Sequence, residues 1–401
     1  MQSFRQLLAF GAVALGVCLP APAADVPELL KTLKAVGPLG AGQREAARAW
    51  AELARADAVA LPAMLAALDD ANPLAANWIR TAIDAAAERQ LGAHAALPKE
   101  DLEKFVRQRQ HNGPARRLAY ELLVEVDPGA TARLIPGMLD DPSLELRRDA
   151  VAALADEAAA MEKAERTGEA VAVYRRALGS ARDLDQIQTL AGRLRGLHQT
   201  VDLARHFGFI VHWQLIGPFD NTGHKGFDAV YPPEREVDLS ASYPGKHGTL
   251  HWVEHVTKQD YGIVDFNQVL GEEKSVVGYA ATTFIAAKQR EVEFRLASFS
   301  AVKLWLNGQL IDQHNVYHNG SQMDQYVSRG VLRAGPNRIL VKACQTNLPQ
   351  EWARAWQFQL RVCDQRGTAV LSADRRPPAE QVKGKQGNTG FRHDSIEGPK
   401  T

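Results

Sequence analysis

The sequence predicts a multidomain α + β protein, an N-terminal α-helical solenoid followed by a C-terminal antiparallel β-sandwich. Three observations carry that prediction. At 401 residues, against roughly 100–200 residues per domain, the chain has room for two domains, each with its own core. From Asp25 to about Arg205 apolar residues recur at three- and four-residue spacing, with Pro or Gly between the runs, which is the pattern of stacked amphipathic helices. At Phe207 that spacing stops, and Trp, Gly, Asn and β-branched residues rise, which marks short strands. The hydrophobic fraction of 45% and charged fraction of 23% are those of an ordinary globular chain, and they exclude wholesale disorder and a polytopic membrane protein. Lys+Arg and Asp+Glu are both 47, so no global field draws the protein to nucleic acid.

The first element is an export signal. Arg5 is followed by an apolar run from Leu7 to Leu19 and then Pro20-Ala21-Pro22-Ala23, a basic start, an apolar stretch and an A-x-A site that predict a secretory signal peptide over 1–23, cleaved after Ala23. The run falls short of the ~20 apolar residues a spanning helix needs, so the chain is expected in the periplasm or outside the cell and not across a membrane. Val17 precedes Cys18 where a lipoprotein signal carries a small residue, so Cys18 belongs to the discarded peptide.

The solenoid is expected over 24–205, with helices starting near Val26, Gln43, Ala58, Leu74, Lys99, Ala115, Thr131, Leu144, Ala170 and Leu184. Arg80, Arg117 and Arg148 each stand two residues before an Ala and recur at roughly 30–40 residues, the period of a helix-pair array. Leu61-Pro62-Ala63-Met64-Leu65 and Ile135-Pro136-Gly137-Met138-Leu139 are equivalent first helices, each followed by an Asp pair, Asp69-Asp70 and Asp140-Asp141. The copy from Ile135 through Pro142 to Leu154 resembles a HEAT repeat, and 58–87 resembles a looser one. That resemblance implies a surface for a protein partner. Charge over 25–205 is 24 basic against 27 acidic residues, so the arginines are salt-bridging and solvated groups and not a nucleic-acid stripe.

The sandwich is expected over 206–374. Strands are predicted at Ile210–Ile216, Leu250–His255, Tyr279–Ala286, Arg290–Leu296, Val302–Leu306, Ile339–Cys344 and Phe358–Val362. Asn307-Gly308 is the strongest turn signal, because a tight I′ hairpin needs positive φ at both central residues. Trp213, Trp305 and Trp356 fit the apolar pattern and are expected in the core. Cys344 and Cys363 flank an expected hairpin whose geometry separates the sulfurs beyond bonding distance, which predicts two buried thiols; the alternative, a disulfide, would need the two strands to sit in different sheets.

Val302-Lys303-Leu304-Trp305-Leu306-Asn307-Gly308, then Leu332 to Lys342 and Trp356 to Asp364, resemble the jelly-roll modules of the galactose-binding-like and PA14-like kind. The stretch Trp213-Gln214-Leu215-Ile216-Gly217-Pro218-Phe219-Asp220-Asn221 resembles the start of that module in secreted planctomycete-type bacterial proteins, where it accompanies HEAT repeats. PA14-like lectins hold calcium on an acidic pair, but Ser298-Phe299-Ser300 stands here; the resemblance therefore implies no calcium-dependent sugar site of that kind.

No cofactor, metal or catalytic motif is present in the sequence: no His-Glu-x-x-His, nucleophile elbow, P-loop or paired-cysteine site. His251 and His255 would stand about 13 Å apart on a strand, too far to share a metal. The loop carrying His314, Asn315, Tyr317 and His318 groups two imidazoles, an amide and a phenol, and Trp352 offers a ring for stacking on a sugar. These five residues form the expected ligand site. The reading is an exported, non-catalytic protein whose sandwich binds carbohydrate or a glycan-bearing partner and whose solenoid meets a protein; the alternatives are a protein scaffold with a purely structural sandwich, or an unrecognised hydrolase. The tail, 375–401, is expected to be disordered from its Pro, Gly and Lys content.

Overall fold

The computed structural model describes residues 25–317 and 320–375, so the signal segment and nearly all of the expected disordered tail lie outside the described residues. The protein is multidomain, with helices first and antiparallel sheets after them. It divides into two compact units, one up to Ala153 and one from Leu154 onward.

The first unit contains α1 (Val26–Lys34), α2 (Gln43–Leu53), α3 (Leu61–Ala66), α4 (Pro73–Gly92), α5 (Lys99–Arg107), α6 (Gly113–Val126), α7 (Ala130–Leu134) and the start of α8 (Leu144–Lys163). Two of these begin on the same device, an asparagine ahead of a proline. Asn72 Oδ1 accepts from the amides of Leu74 and Ala75 at 3.0 Å, and Asn112 Oδ1 accepts from Ala115 at 2.8 Å. Each cap satisfies donors that the first turn leaves open. The same side chains reach back to carbonyls just past the ends of α1 and α3, Asn72 Nδ2 to Val36 O at 3.0 Å and Asn112 Nδ2 to Leu68 O at 2.6 Å. The buried face of α4 is mostly small, with Ala75, Ala82, Ala86 and Ala87 beside Ile79 and Ile83, which lets neighbouring helices approach closely. Arg116 is fully buried, with a bidentate pair to Asp141 at 2.6 and 2.9 Å and two further bonds to Val106 O. Arg117, beside it, bonds Glu121 and Asp149 at the surface.

The second unit continues with α9 (Thr167–Ser180), α10 (Leu184–Gly196) and α11 (Leu203–Phe207), then β1 (His212–Asp220), α12 (Pro232–Arg235), β2 (Tyr243–Gly245), β3 (Gly248–Leu250), β4 (Val253–Val256), β5 (Val264–Asp265), α13 (Phe266–Leu270), β6 (Val276–Ala286), β7 (Arg290–Ser298), β8 (Val302–Leu306), β9 (Gln309–His314), β10 (Tyr326–Leu332), β11 (Gly335–Cys344) and β12 (Gln357–Cys363). Composition changes near residue 205, but the compact unit begins earlier because the last helices are tied to the strands. Arg195 makes a bidentate pair with Asp260 at 2.8 Å on both nitrogens, Gln188 donates to Tyr261 OH at 2.9 Å, and Arg361 donates to Phe207 O at 3.2 Å.

One sheet has six strands in the order β4-β1-β6-β11-β8-β9, and a second has four in the order β10-β7-β12-β5. Every pairing is antiparallel. Alternation along the strands places Trp213, Leu215, Ala280, Phe284, Leu304 and Val341 of the first sheet in one core with Phe294, Leu296, Trp356, Phe358 and Leu360 of the second. The Asn307-Gly308 turn has φ of 52° and 82°, joining β8 to β9 as the dipeptide predicts. A second cluster covers the opposite face of the six-stranded sheet: Phe219, Val277, Tyr279, Trp305 and Leu340 meet Phe227, Tyr231, Tyr243, Leu250 and Trp252 from the excursion 221–252.

The expected hairpin of Ile339–Gln345 with Trp356–Cys363 is corrected by the topology. β11 lies in the six-stranded sheet and β12 in the four-stranded one. Both cysteines are nevertheless buried free thiols, because Cys344 belongs to the cluster outside the first sheet while Cys363 ends a strand of the other.

Candidate functional site

Of the expected ligand residues, His314 and Tyr317 turn to different neighbours. His314 ends β9 and stacks on Tyr326, ring centroids 3.5 Å apart and planes 9° apart, with Nε2 2.8 Å from Asp312 Oδ1 but without hydrogen-bond geometry. Tyr317 turns the other way, stacking on His224 at 3.9 Å, with its hydroxyl 3.2 Å from Asn221 Nδ2. Burial, the nearby Cys344 and the Asp228 charge all push its pKa upward, outweighing the Asn221 bond. Asn315 is exposed, whereas His318 and the side chain of Trp352 lie outside the described residues. Two of the chosen aromatic and imidazole groups are thus spent on packing.

A buried polar cluster around Lys342 is closed to ligands. Lys342 is fully buried and donates to Phe227 O at 3.0 Å, Ala229 O at 2.8 Å and Glu234 Oε1 at 2.8 Å, and Tyr279 OH bonds the same carboxylate oxygen. An ammonium has three protons, and all three are engaged here. Desolvation lowers the Lys342 pKa despite the Glu234 bond, and it pushes the neighbouring Cys344 thiol up to about 12. Perturbed groups often mark active sites, but these have no open face. They fasten the excursion to the sheet.

An open site lies beside that fastening. The β1–β6 ladder ends at Gln214 opposite Ala281, while β6 runs on to Ala286 paired with β11. In the space β1 leaves, residues 372–373 lie along β6: Ile285 N donates to Ser372 Oγ at 2.7 Å and Ala373 N to Ile285 O at 2.9 Å. The divergence opens a cleft of about 290 Å³ lined by residues 208–214, Val237, Leu239, Glu254, residues 281–284, Arg338 and residues 370–375 other than Ala373. Register sets its polar groups, for Glu254 is opposite Gln214 across β4–β1 and Thr283 is opposite Arg338 across β6–β11. Leu215 and Phe284 face the core, so alternation turns Gln214 and Thr283 outward, with the small Ala281 between them as floor. The side chains of Gln214, Glu254, Thr283 and Arg338 have no hydrogen-bond or ion-pair partner among the described residues.

Two more groups in the cleft wall are under-satisfied. His212 Nε2 and Arg375 Nη2 are buried and make no hydrogen bond. Arg375 Nη1 donates to Phe209 O at 2.7 Å, Nη2 has only Asp202 at 3.8 Å, and burial pulls its pKa below the ordinary arginine value. A buried polar group without a partner costs free energy. Glu254 and Asp374 are the carboxylates of this lining, and Asp374 accepts from Ser372 Oγ. Sequence reasoning missed the cleft; the only signals were the polar outward positions 212 and 214 on an otherwise apolar strand. Among the described residues no group of three or more His, Cys, Asp or Glu side chains is arranged to hold a metal ion, and no helix is long and apolar enough to cross a membrane.

No protein family and no curated protein matches the chain. Solved structures do. A β-glucosidase from Kluyveromyces marxianus in complex with glucose is 16% identical over 27% of this chain and 14% of its own, with a TM-score of 0.21. A GH2 β-galacturonidase from Eisenbergiella tayi bound to glycerol is 11% identical over 38% and 25%, TM-score 0.21, and a β-glucuronidase from Faecalibacterium prausnitzii is 13% identical over 39% and 31%, TM-score 0.23. The chain spans less than a third of the length of each of these. The expectation of a non-catalytic binding protein is corrected: the solved structures matched are glycoside hydrolases, and non-catalysis is not a property shown for this chain. Likeness at this level transfers no substrate or activity to the chain.

Proposed function

We propose that the β region of the second unit is a carbohydrate-active domain that seats a saccharide in the cleft between β1 and β6. In this reading the two sheets form a jelly roll of the galactose-binding-like kind, the helices of the first unit are HEAT-like pairs, and export follows removal of the segment ending at Ala23. The observation that carries the proposal is the lining: four free polar side chains, Gln214, Glu254, Thr283 and Arg338, on a sheet face walled by Val237, Leu239, Val370 and Leu371. Directional polar groups set over an apolar wall are what a hydroxylated ring requires. The volume stands at the low end of ligand pockets, roughly 300 Å³, and suits one or two sugar units.

Glu254 and Asp374 give the cleft two carboxylates, the kind of pair that glycoside hydrolysis uses as acid and base or nucleophile. The test is to titrate the full chain with an oligosaccharide panel by calorimetry and to follow release of reducing ends from the same panel. Gln214→Ala and Glu254→Gln are expected to weaken binding about tenfold each without lowering the melting temperature. If no saccharide binds, the proposal fails; if saccharides bind and Glu254→Gln leaves any hydrolysis unchanged, the catalytic use of the pair fails.

A further inference from the structure

The two ends of the cleft differ in charge. Glu254 lies on β4, and Arg338 lies on β11 three strand spacings away, about 14 Å at the usual distance between strands. Arg338 stands opposite Thr283, and Arg375 follows the segment that lies along Ile285. The backbone segments that carry the two arginines therefore flank the same stretch of β6 from opposite sides, about 10 Å apart, and both residues line the cleft, the Arg375 head being held at Phe209 O. Arg338 has no ion-pair partner among the described residues, Arg375 Nη2 has one carboxylate at 3.8 Å, and the adjacent Asp374 keeps its negative charge while accepting from Ser372 Oγ, so two arginines meet one lining carboxylate at this end. With its side chain only 11% exposed, Arg375 is a cation sheltered from water and weakly compensated. An anion brought into that end would meet a donor already desolvated, and a guanidinium binds carboxylate or sulfate oxygens through paired N–H groups.

We infer that the cleft selects a saccharide carrying an anionic substituent, a carboxylate or a sulfate ester, with that substituent at the Arg338 and Arg375 end and the neutral hydroxyls toward Gln214 and Glu254. The inference rests on the proposed saccharide site and names its ligand class.

The test is calorimetry of the full chain with three trisaccharides: neutral cellotriose, trigalacturonate, and a sulfated galactan trisaccharide. One or both anionic trisaccharides should bind at least tenfold more tightly than cellotriose, with an affinity that falls as salt is raised. Arg338 is exposed, so Arg338→Gln should fold normally; it should remove most of the preference by weakening the anionic trisaccharides about tenfold more than cellotriose, and Arg338→Lys should restore part of it. A stronger response to trigalacturonate assigns the substituent as carboxylate, and a stronger response to the sulfated sugar assigns it as sulfate. Equal affinity for all three, or an equal loss for all three in Arg338→Gln, overturns the inference and leaves the saccharide site standing. Binding of none overturns both.

Discussion

Replacing Lys342 with Met tests how the cleft wall is held. The side chain is fully buried and supplies the donors for Phe227 O, Ala229 O and Glu234 Oε1. Met fills a similar volume, so the loss is electrostatic: Glu234, 9% exposed, keeps only the Tyr279 hydroxyl, and two carbonyls lose a donor. Breaking one side of a buried ion pair costs about 3–5 kcal/mol, and for a unit of this size each kcal/mol lowers Tm by about 2–4 °C. The expected drop is therefore about 6–20 °C in thermal melts followed by near-ultraviolet circular dichroism. The double variant Lys342→Met, Glu234→Leu removes the stranded carboxylate as well, and it should be less destabilised than Lys342→Met alone. If the single variant loses under 1 kcal/mol, or the double loses the full sum of both singles, the clamp does not hold the excursion that carries Val237 and Leu239.

His206, in α11, has its pKa lowered to about 4, chiefly by burial and then by the nearby Arg182 charge. Its unfolded value is about 6.5, so the unfolded chain binds the extra proton first, and stability falls as pH drops from about 6.5 to 4, by up to roughly 3 kcal/mol. His206→Gln should flatten urea-midpoint curves in that window only; the loss from Asp324, whose carboxyl is held below its usual value by Arg361 and Arg295 against the effect of burial, comes at lower pH. Cys344 and Cys363 both have burial-raised pKa values, and iodoacetamide at pH 8 should label neither in the native protein and both in denaturant, read by peptide mass. A double-mutant cycle on Arg195 and Asp260 should give a coupling of about 1 kcal/mol, the upper range for partly exposed pairs; zero coupling would mean the last helices are held to the strands by apolar contact alone.

Most helix and strand positions were legible because each follows from local chemistry, whereas β5 and β10 of the four-stranded sheet were not expected. Pro73 and Pro114, each just ahead of an apolar run, mark two helix starts, and the observed helices begin within a few residues of the expected ones. Asn307-Gly308 needed no tertiary information at all. Sheet membership was different. Val341, between Leu340 and Lys342, and Leu360, between Gln359 and Arg361, are both apolar strand residues, and nothing local tells that one faces the core from the six-stranded sheet and the other from the four-stranded sheet. The expected hairpin failed for that reason. Arg116 and Arg117 show the same limit within one helix: adjacent arginines of identical chemistry, one fully buried against Asp141 and the other at the surface. Which of them turns inward depends on a carboxylate that arrives 25 residues later.

The cleft was hidden by the same limit. Each of its polar residues, read alone, is an ordinary outward position on a strand. The site exists because a ladder stops at one pair, Gln214 and Ala281, and because a segment near the chain's end takes the vacated place along β6. Neither event has a motif. Tyr317 and His314 looked better in the sequence because histidine and tyrosine close together suggest chemistry, yet their rings stack on different partners, His224 and Tyr326, and do not face one another's site. Free hydrogen-bonding capacity, not residue type, is what separates a site from a packed loop. By that measure the outward groups at 214, 254, 283 and 338, which the sequence makes unremarkable, are the ones left with bonds to give.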